Sequence, residues 1–305
     1  MTSQGPANLP ASIHQHLLNL RDRTGEDFNL LLKRFALERL LYRLSKSRYT
    51  DQFVLKGALL FATWIQQFHR PTQDLDLLGY GDASAESLRT IFQQLCRTEV
   101  EPDGLIFDTE DITVREIREG QAYESQRLQL TAYLGNARIP VQVDIGFGDV
   151  VTPAVQIVDY PVLLHFPAPR IRAYPPETVI AEKLQAIVSL GMQNSRMKDF
   201  YDLWLMARDL PFAGETLVEA IKATFERRNT EIPDDLPIAL SDEFTQQESK
   251  AIQWKAFLRR SGLKDAPGTL SATFELLRPF LTPLLYAASR SETYQKSWKY
   301  SGPWM

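Results

Sequence analysis

The chain of 305 residues is long enough to bury one large core or two ordinary ones, and its 44% hydrophobic and 24% charged residues are the balance of a soluble globular protein. With 34 Lys and Arg against 38 Asp and Glu the net charge is −4, which excludes a globally basic nucleic-acid coat while leaving room for a local phosphate-binding patch. A single cysteine, Cys96, excludes an internal disulfide, no run approaches the roughly 18 apolar residues of a membrane span, and MTSQGPANLP lacks the apolar stretch of a secretory signal, so a cytoplasmic location is expected.

Residues 10 to 46 read as helix. Phe28, Leu31, Leu32, Phe35, Leu40, Leu41 and Leu44 recur at near-helical spacing with Lys and Arg between them, the pattern of an amphipathic helix packed on something larger. QFVLKGALLFATWIQQF then reads as a short strand, a turn at Gly57 and a buried helix. DLDLL follows as a strand, and SAESLRTIFQQLC as a helix capped by Ser84 with Glu86 in its first turn. Cys96 lies in that helix's apolar stripe (Leu88, Ile91, Phe92, Leu95), as expected of an inert thiol. From 105 to 165 the texture alternates, and GLIFDTEDITVREI, QRLQLTAYL and RIPVQVDIGFG predict three mostly antiparallel strands or hairpins. The last third, from PPETVIAEKLQAIVSLG to about residue 288, is helical again. Helices, a mixed core and helices predict a two-lobed α+β molecule, with the boundary in the proline-rich FPAPRIRAYPP: lobe one over 1–170, lobe two over 171–305. The final SETYQKSWKYSGPWM interleaves Lys296 and Lys299 with aromatics, either to stack on a nucleic acid or to dock on its own domain.

Several charged residues sit where apolar ones are expected. Asp74 and Asp76 fall on one face of a strand whose other face carries Leu75 and Leu77; paired carboxylates repel unless a cation intervenes, and hard oxygens suit Mg²⁺ or Mn²⁺. Asp144 sits with Gln142 on the polar face of a strand whose other face is Val141, Val143 and Ile145. Lys183 interrupts the stripe of Ile180, Leu184 and Ile187, where it must snorkel or meet an anion. Asp199 and Asp202 flank the stripe of Phe200, Leu203, Trp204 and Ala207. Each has an ordinary alternative: an edge strand with turn-forming aspartates, a snorkelling lysine, a solvated helix flank.

Taken in order, KGALLF, RPTQDLDLL, VQVDIGFGD, AEKLQAI and KDFYDLW resemble the AbiEii/AbiGii-type nucleotidyltransferase toxins of the DNA polymerase β-like superfamily, over about residues 50 to 210. The resemblance implies a mixed-sheet nucleotidyltransferase core flanked by helices, with a C-terminal helical lobe completing the active site. It implies Asp74, Asp76 and Asp144 as metal ligands and, with Lys183, Asp199 and Asp202, as the catalytic set. Lys56, Gly57, Ala58, Arg70 and Lys183 would bind nucleotide, with His69 beside Arg70. Lys56-Gly57-Ala58 departs from the usual Gly-Ser turn, so the serine hydroxyl is missing. By the same resemblance the protein is a toxin of an abortive-infection or toxin–antitoxin pair. It transfers nucleotides from NTP to an RNA acceptor, the tRNA 3′ end foremost, and its antitoxin need not form a stable complex. Arg227, Arg228, Arg259, Arg260 and Lys264 are the basic residues available for that acceptor. A small-molecule nucleotidyltransferase, a DxD metal-dependent glycosyltransferase and a non-catalytic binding module remain as alternatives.

Overall fold

The computed structural model describes residues 8–65, 70–117, 125–263 and 265–305. Two compact units emerge: Met1–Gly148 with Gln156–Ala173, and Asp149–Val155 with Tyr174–Met305.

In the first unit the helical stretch expected over 10–46 is two helices, α1 (Leu9–Thr24) and α2 (Phe28–Lys46). Gly25 ends α1 in a left-handed conformation (φ 74°), and the Asp27 carboxylate caps α2 by accepting from the Leu30 N–H. The expected amphipathic character of α2 is a correction. Its charged positions Glu38, Arg39 and Arg43 are buried along with its leucines. Arg39 and Arg43 both donate to Asp103, at 3.1 Å and 2.6 Å, which makes their burial tolerable.

Next come β1 (Phe53–Lys56), a 3₁₀ turn (Ala58–Leu60), α3 (Phe61–Ile65), β2 (Asp74–Gly79) and α4 (Ala85–Cys96), the last capped by Ser84 as expected. Burial pushes the Cys96 thiol up to about 12, so it is inert at neutral pH. GLIFDTEDITVREI divides into β3 (Leu105–Phe107) and β4 (Thr113–Ile117), which pair in succession with β5 (Ser125–Leu134). A two-residue turn, Gly135-Asn136, returns the chain into β6 (Ala137–Phe147). Two strands, β7 (Gln156–Asp159) and β8 (Arg170–Ala173), complete the sheet. β8 lies within the proline-rich stretch expected to be a boundary: Pro167 and Pro169 precede it and Pro175 follows, leaving its own ladder donors intact.

The strand order is β3-β5-β6-β2-β1-β8-β7, with β4 also on β5; β2 runs parallel to β6 and β1 to β8, the other pairs antiparallel. Register sorts the two faces. Leu55, Leu77 and Ile145 are cross-strand neighbours, as are Leu75, Val143 and Leu128, and all are buried. Helix α2 packs against β6 and β8. The opposite face of β1, β2, β6 and β5 carries the polar residues.

The second unit is helical: α5 (Pro176–Leu190), α6 (Met197–Asp209), α7 (Gly214–Arg227), α8 (Asp242–Gln246), α9 (Glu248–Ser261) and α10 (Leu270–Ser289). A two-stranded ribbon joins β9 (Phe212–Ala213) to β10 (Ser297–Trp298). The aromatic tail docks on this unit: Trp298 is buried and donates to the Ala207 carbonyl (2.6 Å), and Trp304 donates to that of Phe280 (3.1 Å). No helix among the described residues is long and apolar enough to cross a membrane.

Candidate active site

One rung of the sheet brings together three of the residues singled out in the first unit, Lys56, Asp76 and Asp144. Lys56 on β1 is the cross-strand partner of Asp76 on β2, Asp76 that of Asp144 on β6, and Asp144 that of Arg127 on β5. Cross-strand partners share a face with Cα atoms about 5 Å apart, so four charges stand in a row, two carboxylates side by side with a cation at each end. Asp74, two residues before Asp76, adds a third carboxylate on the same face, opposite Gln142. Asp74 and Asp76 are half-exposed. The Asp144 side chain is 15% exposed and is held in a bidentate fork: Arg127 Nε donates to Oδ1 and Nη2 to Oδ2, both at 2.8 Å. Among the described residues no three carboxylate, imidazole or thiol side chains converge as a ready-made metal cage.

The turn after β1 is shaped around Asp76. Gly57 has φ 75°, and a Cβ built on it would lie 1.9 Å from Asp76 Oδ2 and 2.7 Å from Asp76 Cβ. Glycine is therefore required twice, by the backbone angle and by the approach of main chain to carboxylate. Ala58 is buried at the start of the 3₁₀ turn, where no side chain caps the N-terminus. Arg70 lies half-buried in the bend before β2, while His69 lies outside the described residues.

The second unit holds a separate charged cluster. Lys183 on α5 places Nζ 2.7 Å from Asp199 Oδ1 and 2.9 Å from Asp202 Oδ2, both on α6, and Arg196 Nε is 2.6 Å from Asp199 Oδ2. Both aspartates are fully buried and the lysine side chain is 14% exposed. The solvated-flank and snorkelling alternatives are thereby corrected: one ammonium bridges two interior carboxylates. Burial drives the Asp199 carboxyl upward, yet Lys183 and Arg196 outweigh it and hold the group below the usual carboxylate range.

Two residues in these clusters escaped the sequence reading, Arg127 and Arg196. A signal existed for Arg127. It alternates with Leu128 and Leu130, and the tight Gly135-Asn136 turn fixes β5 against β6 so that position 127 meets 144. Among the basic residues considered for an acceptor, Arg228 is committed internally, with Nη2 3.1 Å from Asp149 Oδ1 and 3.2 Å from Glu182 Oε1. Arg227, Arg259 and Arg260 are exposed, and Lys264 lies outside the described residues.

Comparison with known proteins bears on the fold and the family. A crystal structure of a candidate nucleotidyltransferase from Helicobacter pylori aligns with a TM-score of 0.51 at 13% identity, covering 88% of this chain and 100% of that one, and it shows the fold. JHP933 from the same organism aligns at 0.48 and 13% identity over 86% of this chain and 94% of its own, too distant to carry an argument. No curated protein matches. The family model described as nucleotidyl transferase AbiEii toxin, type IV toxin–antitoxin system, matches residues 39–277, well over half of the chain. The protein accordingly belongs to the AbiEii nucleotidyltransferase toxin family of type IV toxin–antitoxin systems.

Proposed function

We propose that the protein transfers nucleotides from an NTP to the 3′ end of an RNA, with tRNA the first acceptor to test, and thereby stops translation in the cell that makes it. The observation that carries this reading is the register of β2 against β6, which sets Asp76 beside Asp144 and Asp74 on the same face, with the Gly57 turn lying against Asp76. In the reaction the acceptor hydroxyl attacks the α-phosphorus, the bond from that phosphorus to the bridging oxygen breaks, and pyrophosphate leaves. Asp144 takes the hydroxyl proton. Main-chain N–H groups after Gly57, with Lys56 and Arg70 nearby in sequence, bind phosphate oxygens. Lys183, oriented by Asp199 and Asp202, neutralises charge on the triphosphate and the departing pyrophosphate.

The donor chemistry fits a divalent cation, because the three side chains on this face offer hard carboxylate oxygens and none of the three residues is fully buried. Asp74 and Asp76 would hold Mg²⁺ or Mn²⁺, with Asp144 as third ligand, and the bound ion supplies charge neutralisation at the phosphates. Incubating the purified chain with total RNA and each labelled NTP tests the proposal. Label should enter RNA 3′ ends with the wild type and fall by several orders of magnitude with Asp76→Ala. An Asp76→Ala protein keeping a tenth of the transfer, or label entering a small molecule alone, overturns it. The cognate antitoxin is expected to be encoded beside the toxin.

A further inference from the structure

The four-charge rung has a property that the transfer reaction leaves unexplained. Arg127 occupies both oxygens of Asp144, the carboxylate that stands in register with Asp76. A guanidinium and a divalent cation want the same lone pairs, so Asp144 cannot serve both fully at once. The Arg127 side chain is 37% exposed, at the solvent margin where an ion pair opens with little penalty. Its planar fork matches a phosphate as well as a carboxylate.

We propose that Arg127 is a two-position residue: it holds Asp144 while the carboxylate face carries no cation, and yields Asp144 to the cation as its own guanidinium passes to the phosphate oxygens of the incoming nucleotide. This rests on the metal and NTP reading above and deepens it. Three carboxylates on one face of the sheet repel, and Arg127 with Lys56 offsets that repulsion before the ion arrives. Once a divalent charge is present the Arg127 charge is surplus beside Asp144, and the nearest gain for it is the polyanionic triphosphate. Cation and nucleotide binding are thereby coupled through one side chain.

The test is Mn²⁺ titration followed by electron paramagnetic resonance, without nucleotide, on wild type, Arg127→Gln and Arg127→Lys, alongside KM and kcat for NTP. Opening a pair of this kind corresponds to about a two- to fivefold change in affinity, so Arg127→Gln should bind Mn²⁺ tighter by that factor. The same variant should raise KM for NTP by about tenfold, the loss of one charge-assisted phosphate contact. Arg127→Lys, with one donor direction in place of a fork, should fall between on both measures. Mn²⁺ affinity in Arg127→Gln equal to or weaker than wild type overturns the proposal, as does an unchanged KM. If Arg127→Gln does not fold, Arg127→Lys decides, and wild-type values in that variant overturn it. Failure of the underlying reading looks different: the wild type itself then binds no Mn²⁺, or Asp74→Ala leaves Mn²⁺ binding intact.

Discussion

At the scale of single residues, Gly57 is the position where sequence and site are most tightly bound together. Any side chain there meets both a positive φ and the Asp76 carboxylate at 1.9 Å, so Gly57→Ala must displace Asp76, the turn, or both. The expected outcome is loss of transfer by about a hundredfold or more together with about 1–3 kcal/mol of stability, read from labelled-NTP assays and denaturant melts. A Gly57→Ala protein with wild-type kinetics would show that the Asp76 rotamer is unimportant. Glu38 is a residue of a different kind. Burial raises its carboxyl to about 7 against an ordinary 4.5, partly offset by the Leu163 N–H that it accepts, and its Oε1 has no hydrogen-bond partner among the described residues. Because the folded-state pKa lies above the unfolded one, folding takes up a proton. Its contribution is therefore fully favourable below about pH 4.5 and is lost as pH rises through about 7. Glu38→Gln keeps an acceptor for Leu163 and removes the charge, so its thermal midpoint should exceed the wild type's at pH 8 and approach it at pH 5. A variant less stable at both values would mean that the ionised carboxylate has a partner worth more than its burial.

At the scale of elements, the α5–α6 pair is fastened by charge as well as by its apolar stripes. Lys183→Ala removes the ammonium that bridges two fully buried carboxylates, with Arg196 still on Asp199, a change that typically costs about 3–5 kcal/mol, so both the melt and the use of NTP should suffer. Restoring the cation with Lys183→Arg should recover most of the stability. If Lys183→Ala lowers the melt and leaves NTP affinity at the wild-type value, the lysine's role is only to hold α6, and the nucleotide role assigned to it fails. Asp199 sets the pH limit of this fastening: its depressed pKa means that the pairing persists above the ordinary carboxylate range and is lost as pH falls through the folded value. The same elements show what was legible in the sequence. Strand alternation alone separated Asp74 and Asp76 from Leu75 and Leu77, and Asp144 from Val143 and Ile145, because period two needs no partner to be read. The charged side of α2 was misread because Asp103, which neutralises Arg39 and Arg43, lies some 60 residues away, and local periodicity carries no information about such a partner. β8 was hidden by the prolines around it, although none sits inside its pairing segment. Arg127 went unnoticed because its significance lies in the hairpin register rather than in either strand.

At the scale of the whole molecule, a net charge of −4 means that an RNA acceptor would be gathered by a local basic surface against a repulsive average field. Arg227, Arg259 and Arg260 are exposed and so reachable by an acceptor, whereas Arg228 pairs with Asp149 and Glu182. Acceptor binding should consequently weaken steeply with added salt, and replacing the three exposed arginines should flatten that dependence without changing Mn²⁺ affinity. Membership of a toxin family adds a cellular consequence that separates chemistry from mere binding. Expressing the wild-type chain in a bacterium should arrest growth, and the arrest should vanish in the Asp74→Ala, Asp76→Ala double variant if transfer is its cause. A binding module would still arrest growth in that variant, because its contacts do not need the carboxylate face. A small-molecule nucleotidyltransferase or a glycosyltransferase would arrest growth with the RNA ends intact. Sequencing RNA 3′ ends after induction therefore separates transfer to RNA from the other readings: added nucleotides that depend on Asp74 and Asp76 support it, whereas arrest by the wild type with every 3′ end unaltered rules it out.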